Sequence, residues 1–200
     1  MAGILDGLLL CLAGFWLGAI PFSLLVGRLV RGVDIRAYGD GNPGSINAFK
    51  ASGWQAGVVS LVLDFLKGCL PTLAAMRHLG GLNAWMLPIA IAPVLGHAYS
   101  PWLRFKGGKA IVTTFGIWTG LTLYQAPLLL GGLCALGYAL LQSQAWASVL
   151  AFALFGLIFP FFSYQPVLVW VSLANFAILL HKHRQDLTWP IRLRWRKDDE

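Results

Sequence analysis

From Ala110 to His181 the chain runs for 72 residues without one Asp, Glu, Lys or Arg, and no water-facing surface can be built from such a stretch. Residues 7–27 and 78–103 lack the same four residue types. Charged residues make up 12% of the chain, against about 25% in a soluble domain. A helix needs about 20 mainly apolar residues to cross a bilayer's hydrocarbon core. The predicted fold is therefore all-α, a polytopic integral membrane protein in which residues 1–200 form one membrane-embedded domain. Disordered and collagen-like chains are excluded by the same composition. The formal net charge is +7, but the bases cluster beside apolar spans instead of forming a stripe with interleaved aromatics. That arrangement predicts a membrane surface as partner, and no nucleic acid.

Apolar spans fall near residues 6–28, 53–76, 82–100, 110–123, 126–141, 147–162 and 165–181. The first three are long. The last four share the uncharged stretch, divided by Pro127, by Gln142-Ser143-Gln144 and by Pro160 to Pro166. The chain start has no basic opening and no small-residue cleavage site, so its first apolar segment reads as a retained helix. Of 15 Lys and Arg, four lie in residues 28–52, three in 101–109 and six from Lys182 onward. Placing these three groups on the cytoplasmic side satisfies the positive-inside bias. It predicts an N-terminus outside, a C-terminus in the cytoplasm, and seven crossings, with five sharing the same parity. Cys11, Cys69 and Cys134 all lie in apolar runs, where small packing side chains are the expected role.

Chemistry gathers in the segments between spans. The first, Arg36 to Lys50, holds Asp40, Gly41, Asn42, Pro43, Gly44 and Asn47. Its glycines, asparagines and proline oppose a regular helix and expose backbone N–H groups, as an anion-binding nest requires. The second, Gly96 to Lys109, ends in Phe105-Lys106-Gly107-Gly108-Lys109 just before an apolar span. Its glycines admit a ligand to the backbone, its lysines supply charge, and the next helix aims its positive end at the segment. The third, His181-Lys182-His183-Arg184-Gln185-Asp186, adds bases and titratable groups. Three anion-friendly elements on one membrane face predict a phosphate-bearing substrate at the cytoplasmic surface. Asp64 and Lys67 lie at i and i+3 within the second span. Either they neutralise one another or they line the polar floor of a site.

These residues resemble the PlsY family of bacterial acyl-phosphate glycerol-3-phosphate acyltransferases. The resemblance runs from Gly18-Ala19-Ile20-Pro21-Phe22, through residues 40–50, Leu63 to Gly68 and Gly96 to Ala110, to His181 through Leu187. It implies a multi-pass inner-membrane enzyme whose site faces the cytoplasm. The implied reaction moves an acyl chain from acyl phosphate to the 1-hydroxyl of glycerol 3-phosphate, giving lysophosphatidic acid, with no cofactor and no metal. Gly41, Asn42, Gly44 and Asn47 agree with the family's first motif. His97, Phe105, Lys106, Gly107, Gly108 and Lys109 agree with the second, His183 and Arg184 with the third, and Ser148 with a serine in a later span. Asp40 stands where the family has serine, Ser45 and Ile46 where it has Ala and Thr, and Lys50 where it has an arginine. Asp186 replaces an asparagine, Trp189 an arginine and Ala145 a serine.

The resemblance makes His97, Lys109 and His183 the catalytic candidates. It makes Asn42, Gly44, Asn47, Lys50, Lys106, Gly107, Gly108 and Arg184 the candidates for holding substrate phosphate. Asp40, Asp64, Lys67, Ser148 and Asp186 are further site candidates. A lysine at position 50 cannot reproduce a bidentate guanidinium clamp, and Asp40 and Asp186 bring carboxylates beside phosphate. A related polyol phosphate or another acceptor therefore stands as an alternative, as do an organic-anion transporter and a membrane scaffold. His181 and Asp186 also form H-x-x-x-x-D, a pattern of another acyltransferase class; without that class's large soluble domain it reads as coincidence.

Overall fold

The computed structural model describes residues 3–189 and 191–195. Among the described residues the regular structure is helical, apart from an isolated antiparallel bridge between Leu141 and Leu193. Two compact units divide between Leu121 and Thr122.

In the first unit, α1 (Ile4–Ala19) and α2 (Phe22–Arg31) form one 28-residue apolar segment broken at Ile20-Pro21. The sequence predicts a continuous span here. Pro21 lacks an N–H, and it pushes Ile20 to ψ 122, out of the helical region. Helix α2 ends on Gly32 at φ +66, with Arg28 and Arg31 in its last turn. Helix α3 (Ser45–His78) is 34 residues long and kinked at Gly53, whose φ of 84 and ψ of 177 are closed to other residues. At 1.5 Å per residue it is about 50 Å long, well over the roughly 30 Å hydrocarbon core. The arm before the kink is the surplus, and it packs Ala48 with Leu24, Ile35 and Leu103 in a small buried cluster.

Helix α4 (Met86–Ala98) lies against α1 along a seam of small residues. A Cβ added at Gly18 would sit 2.3 Å from the Pro93 carbonyl oxygen, and one at Gly96 2.1 Å from that of Phe15. The two backbones touch, as in membrane helix pairs built on small residues. Helix α5 (Ile111–Thr122) approaches α3 in the same way, and Thr113 Oγ1 donates to the Asp64 carbonyl at 3.1 Å.

The second unit holds α6 (Gln125–Leu140), α7 (Gln144–Ile158), the single turn α8 (Pro160–Ser163) and α9 (Pro166–His183). The predicted breaks are present: Ser143 Oγ caps α7 by accepting from Trp146 N at 3.3 Å, and the turn around Pro160 closes on Tyr164 at φ +47. Beyond α9 the chain returns past the α6–α7 connection. Gln142 N donates to the Arg192 carbonyl at 3.1 Å, Arg194 N to that of Leu140 at 2.9 Å, and Trp146 Nε1 to that of Thr188 at 2.7 Å.

Among the described residues, four segments suffice by length and composition to cross a membrane: Ile4–Arg31, Ser45–His78, Gln144–Ser163 and Pro166–His183. Helices α4, α5 and α6, at 13, 12 and 16 residues, are shorter. Large apolar side chains such as Leu8, Leu12, Val58, Leu128 and Leu157 lie exposed, the inverse of a soluble surface.

Candidate functional site

The segment between α2 and α3 is shorter than the sequence reading allows. Ser45 to Lys50, read there as part of an irregular loop, begins α3. The helix breakers stop at Gly44, and Asn47 turns its amide back to the preceding loop instead of competing with its own helix. Asn47 Nδ2 donates to the Asn42 carbonyl and to Asp40 Oδ1, each at 2.9 Å. Gly39 and Gly41, at φ +59 and +73, wrap the loop about these groups. A Cβ added at Gly39 would lie 2.3 Å from Asn47 Oδ1 and 3.1 Å from Lys50 Nζ, so both polar ends face this one bend.

The segment after α4 meets that loop directly. Lys109 Nζ donates to Asp40 Oδ2 at 2.6 Å, and Asn42 N donates to Asp40 Oδ1 at 3.2 Å. Partial burial pushes the Asp40 carboxyl up, but the bond from Lys109, those from Asn42 N and Asn47, and the lysine's charge together hold it below the usual carboxylate range. It is ionised at neutral pH.

Gly107 and Gly108 fold onto the end of α4. Gly108 N donates to the His97 carbonyl at 3.1 Å, and a Cβ added at Gly108 would lie 2.2 Å from His97 Nε2. Both glycines are buried, whereas Lys106 is exposed. Ala110, next to Lys109, holds φ +60, and its carbonyl accepts from Thr114 N at 2.9 Å to open α5. A left-handed alanine costs about 1–2 kcal/mol, and this one joins Lys109 to the start of α5.

Beneath lies a buried charge cluster. Lys67 Nζ is 2.7 Å from Asp64 Oδ1, and the two side chains are 1% and 3% exposed. Ser23 Oγ donates to Asp64 Oδ2 at 2.6 Å. His97 Nδ1 is 3.9 Å from Asp64 Oδ1. Lys67 also donates to the Ile20 carbonyl at 3.1 Å, and Ser100 Oγ to that of Ala19 at 2.6 Å. The carbonyls freed by the α1–α2 break are thus satisfied from α3 and from the second motif.

The first unit accordingly joins Asp40, Asn42, Asn47, Lys109, Gly107, Gly108, His97, Asp64 and Lys67 through consecutive contacts, with Lys50 at the same bend and Gly44 at the foot of α3. Sequence reasoning missed Ser23, whose partner is 41 residues away, and Ala110, which is marked only by its backbone angle.

In the second unit Ser148 Oγ donates to the Gln144 carbonyl and meets Tyr138 Oη, both at 2.9 Å. His183 is 2% exposed and its Nδ1 lies 2.9 Å from the Leu179 carbonyl. A carbonyl only accepts, so Nδ1 donates in this contact. Arg184 contacts the His181 ring and donates to the His181 carbonyl at 3.0 Å. Asp186 N donates to the His183 carbonyl at 2.8 Å. Among the described residues, no group of three or more His, Cys, Asp or Glu side chains could hold a metal ion.

A family model described as glycerol-3-phosphate acyltransferase matches residues 8–191. The chain belongs to this family. A glycerol-3-phosphate acyltransferase of Anaeromyxobacter dehalogenans is 38% identical over 197 residues, covering 96% of this chain and 97% of the relative. Glycerol-3-phosphate acyltransferase 1 of Thermotoga maritima is 35% identical over 187 residues, covering 86% and 92%. Crystal structures of PlsY (YgiH), an integral membrane glycerol 3-phosphate acyltransferase, match with TM-scores of 0.80 in the glycerol 3-phosphate form and 0.81 in the lysophosphatidic acid form. Both are 29% identical and cover 91% of this chain and 90% of the PlsY chain. The chain is thus an acyltransferase-family membrane protein, and the family match spans most of both its compact units.

Proposed function

We propose that the protein transfers an acyl group from acyl phosphate to the 1-hydroxyl of glycerol 3-phosphate, releasing lysophosphatidic acid and phosphate. The observation that carries this reading is the meeting of the two motifs. Lys109 Nζ, Asn47 Nδ2 and Asn42 N converge on one pair of oxygens, a donor set for an anion. Acyl phosphate is a mixed anhydride with a good leaving group, so positioning and charge stabilisation supply most of what the reaction needs. The hydroxyl oxygen bonds the acyl carbon, the bond from that carbon to the bridging phosphate oxygen breaks, and phosphate departs with the electron pair.

In this reading Lys106, Lys109 and the Gly107-Gly108 backbone hold the donor phosphate. Asn42, Gly44, Asn47, Lys50 and Arg184 serve the acceptor. The hydroxyl proton goes to His97, to His183 or to a phosphate oxygen of the substrate. Ser148 matches the family's serine, and its hydroxyl is held ready by Tyr138.

The site faces the cytoplasm of the inner membrane, with seven crossings, the N-terminus outside and residues 1–200 acting as one catalytic domain. Thirteen of the 15 Lys and Arg fall in three segments, which supports this orientation. So do the bond between the two motif loops in the first unit and the contact of the tail with the α6–α7 connection in the second.

Purified protein in detergent, given palmitoyl phosphate and glycerol 3-phosphate, should release phosphate and form lysophosphatidic acid in equal amounts. Lys109→Ala should lower kcat/KM by roughly 10²- to 10³-fold, the range for losing one charge-stabilising donor. Full activity in Lys109→Ala removes the proposed role of Lys109. Phosphate release without the lipid points to another acceptor, and no release from either palmitoyl phosphate or palmitoyl-CoA favours the transporter or scaffold readings.

A further inference from the structure

The donors that would hold a substrate phosphate already hold an anion, the side chain of Asp40. Its Oδ2 receives Lys109 Nζ at 2.6 Å, and its Oδ1 receives Asn47 Nδ2 at 2.9 Å and Asn42 N at 3.2 Å. An ammonium, an amide and a backbone N–H around two coplanar oxygens would equally suit two oxygens of a phosphate. The contact is not an accident of sequence proximity, because Lys109 lies 69 residues from Asp40. Asn47 is 1% exposed and cannot turn elsewhere, whereas the Asp40 side chain is 45% exposed. Asp40 can therefore swing out to water without stranding a buried charge.

We propose that Asp40 is a placeholder anion in the phosphate cradle: a phosphate-bearing substrate displaces its carboxylate from Lys109, so Asp40 determines which anions bind and how tightly. The proposal rests on the assignment of Lys109 and Asn47 to substrate phosphate. A dianionic phosphate exchanges one negative charge for two beside Lys109 and is favoured. A monoanion gains nothing in charge and is rejected. Affinity is the open cradle's affinity multiplied by the fraction of molecules in which the cradle is open.

Asp40→Asn is the direct test, since the asparagine carbonyl still accepts from Asn42 and Asn47 but cannot pair with Lys109. In full-length protein in detergent, inorganic phosphate binding measured by calorimetry should tighten about tenfold, the gain for a cradle occupied about nine-tenths of the time. In a Lys109→Gln background the Asp40→Asn gain should vanish. Unchanged or weaker binding in Asp40→Asn overturns the proposal, and so does a gain that survives in Lys109→Gln, which makes Asp40 a source of general repulsion. Loss of folded protein in both Asp40→Asn and Asp40→Ser makes it a structural strut and overturns the proposal too. Full catalytic activity in Lys109→Gln alone shows instead that the underlying phosphate assignment has failed.

Discussion

Single residues carry two kinds of charge pairing in this protein, and they differ in consequence. The Asp40–Lys109 pair is open to water and can exchange partners, whereas Asp64 and Lys67 are sealed together at a separation of 2.7 Å. Removing one member of a buried pair leaves an uncompensated charge and costs about 3–5 kcal/mol. Asp64→Ala should accordingly lower the melting temperature in detergent by roughly 10 °C, and Asp64→Ala with Lys67→Met should recover most of the loss. A melting temperature unchanged in Asp64→Ala would dismiss the pair as a stabilising element. The i, i+3 spacing of Asp64 and Lys67 made their pairing legible in the sequence. That Ser23 donates to the same carboxylate was not, because 41 residues separate the two and a lone serine in an apolar run has no distinguishing pattern. Likewise the motif residues were legible by type and order, but the occupation of the donor set by Asp40 depends on how two loops meet.

At the level of elements, hydrophobic runs located the helices well and their interruptions unevenly. Breaks at Gln142-Ser143 and at Pro160 were visible because polar or proline residues stand in otherwise apolar sequence. The Ile20-Pro21 break and the Gly53 kink lie inside or at the edge of apolar runs, where burial hides them from any count of hydropathy. Helix α3 began eight residues before its expected apolar start at 53, since the arm is held by the Ile35 and Leu103 cluster and not by lipid. Close helix approach yields a sharp contrast between two glycines. Gly18→Val places a Cβ 2.3 Å from a backbone oxygen of α4 and should destabilise by about 1–3 kcal/mol or more through overpacking. Gly132→Ala, in α6 with nothing within 4 Å of the added carbon, should be neutral or stabilise by about 0.5–1 kcal/mol. Thermal melts of the two variants in the same detergent check both signs.

For the whole molecule, charge distribution gives an orientation that can be read by labelling. With Cys11, Cys69 and Cys134 replaced, a cysteine introduced at Tyr164, 87% exposed in the turn before α9, should react with an impermeant reagent added outside. One introduced at Ala37 should react only after the membrane is opened. The reverse pattern would invert the proposed topology. The number of crossings is hard to read from the sequence, because α4, α5 and α6 are short and a run of apolar residues does not state how deep a helix sits. The break between α1 and α2 also bears on how the chain is made. The carbonyls it frees at Ala19 and Ile20 are met by Ser100 and Lys67, which emerge from the ribosome 81 and 47 residues later. Until then the newly inserted first segment carries an unfinished joint in the bilayer. The joint inside the first span is therefore complete only once the chain has been made as far as Ser100.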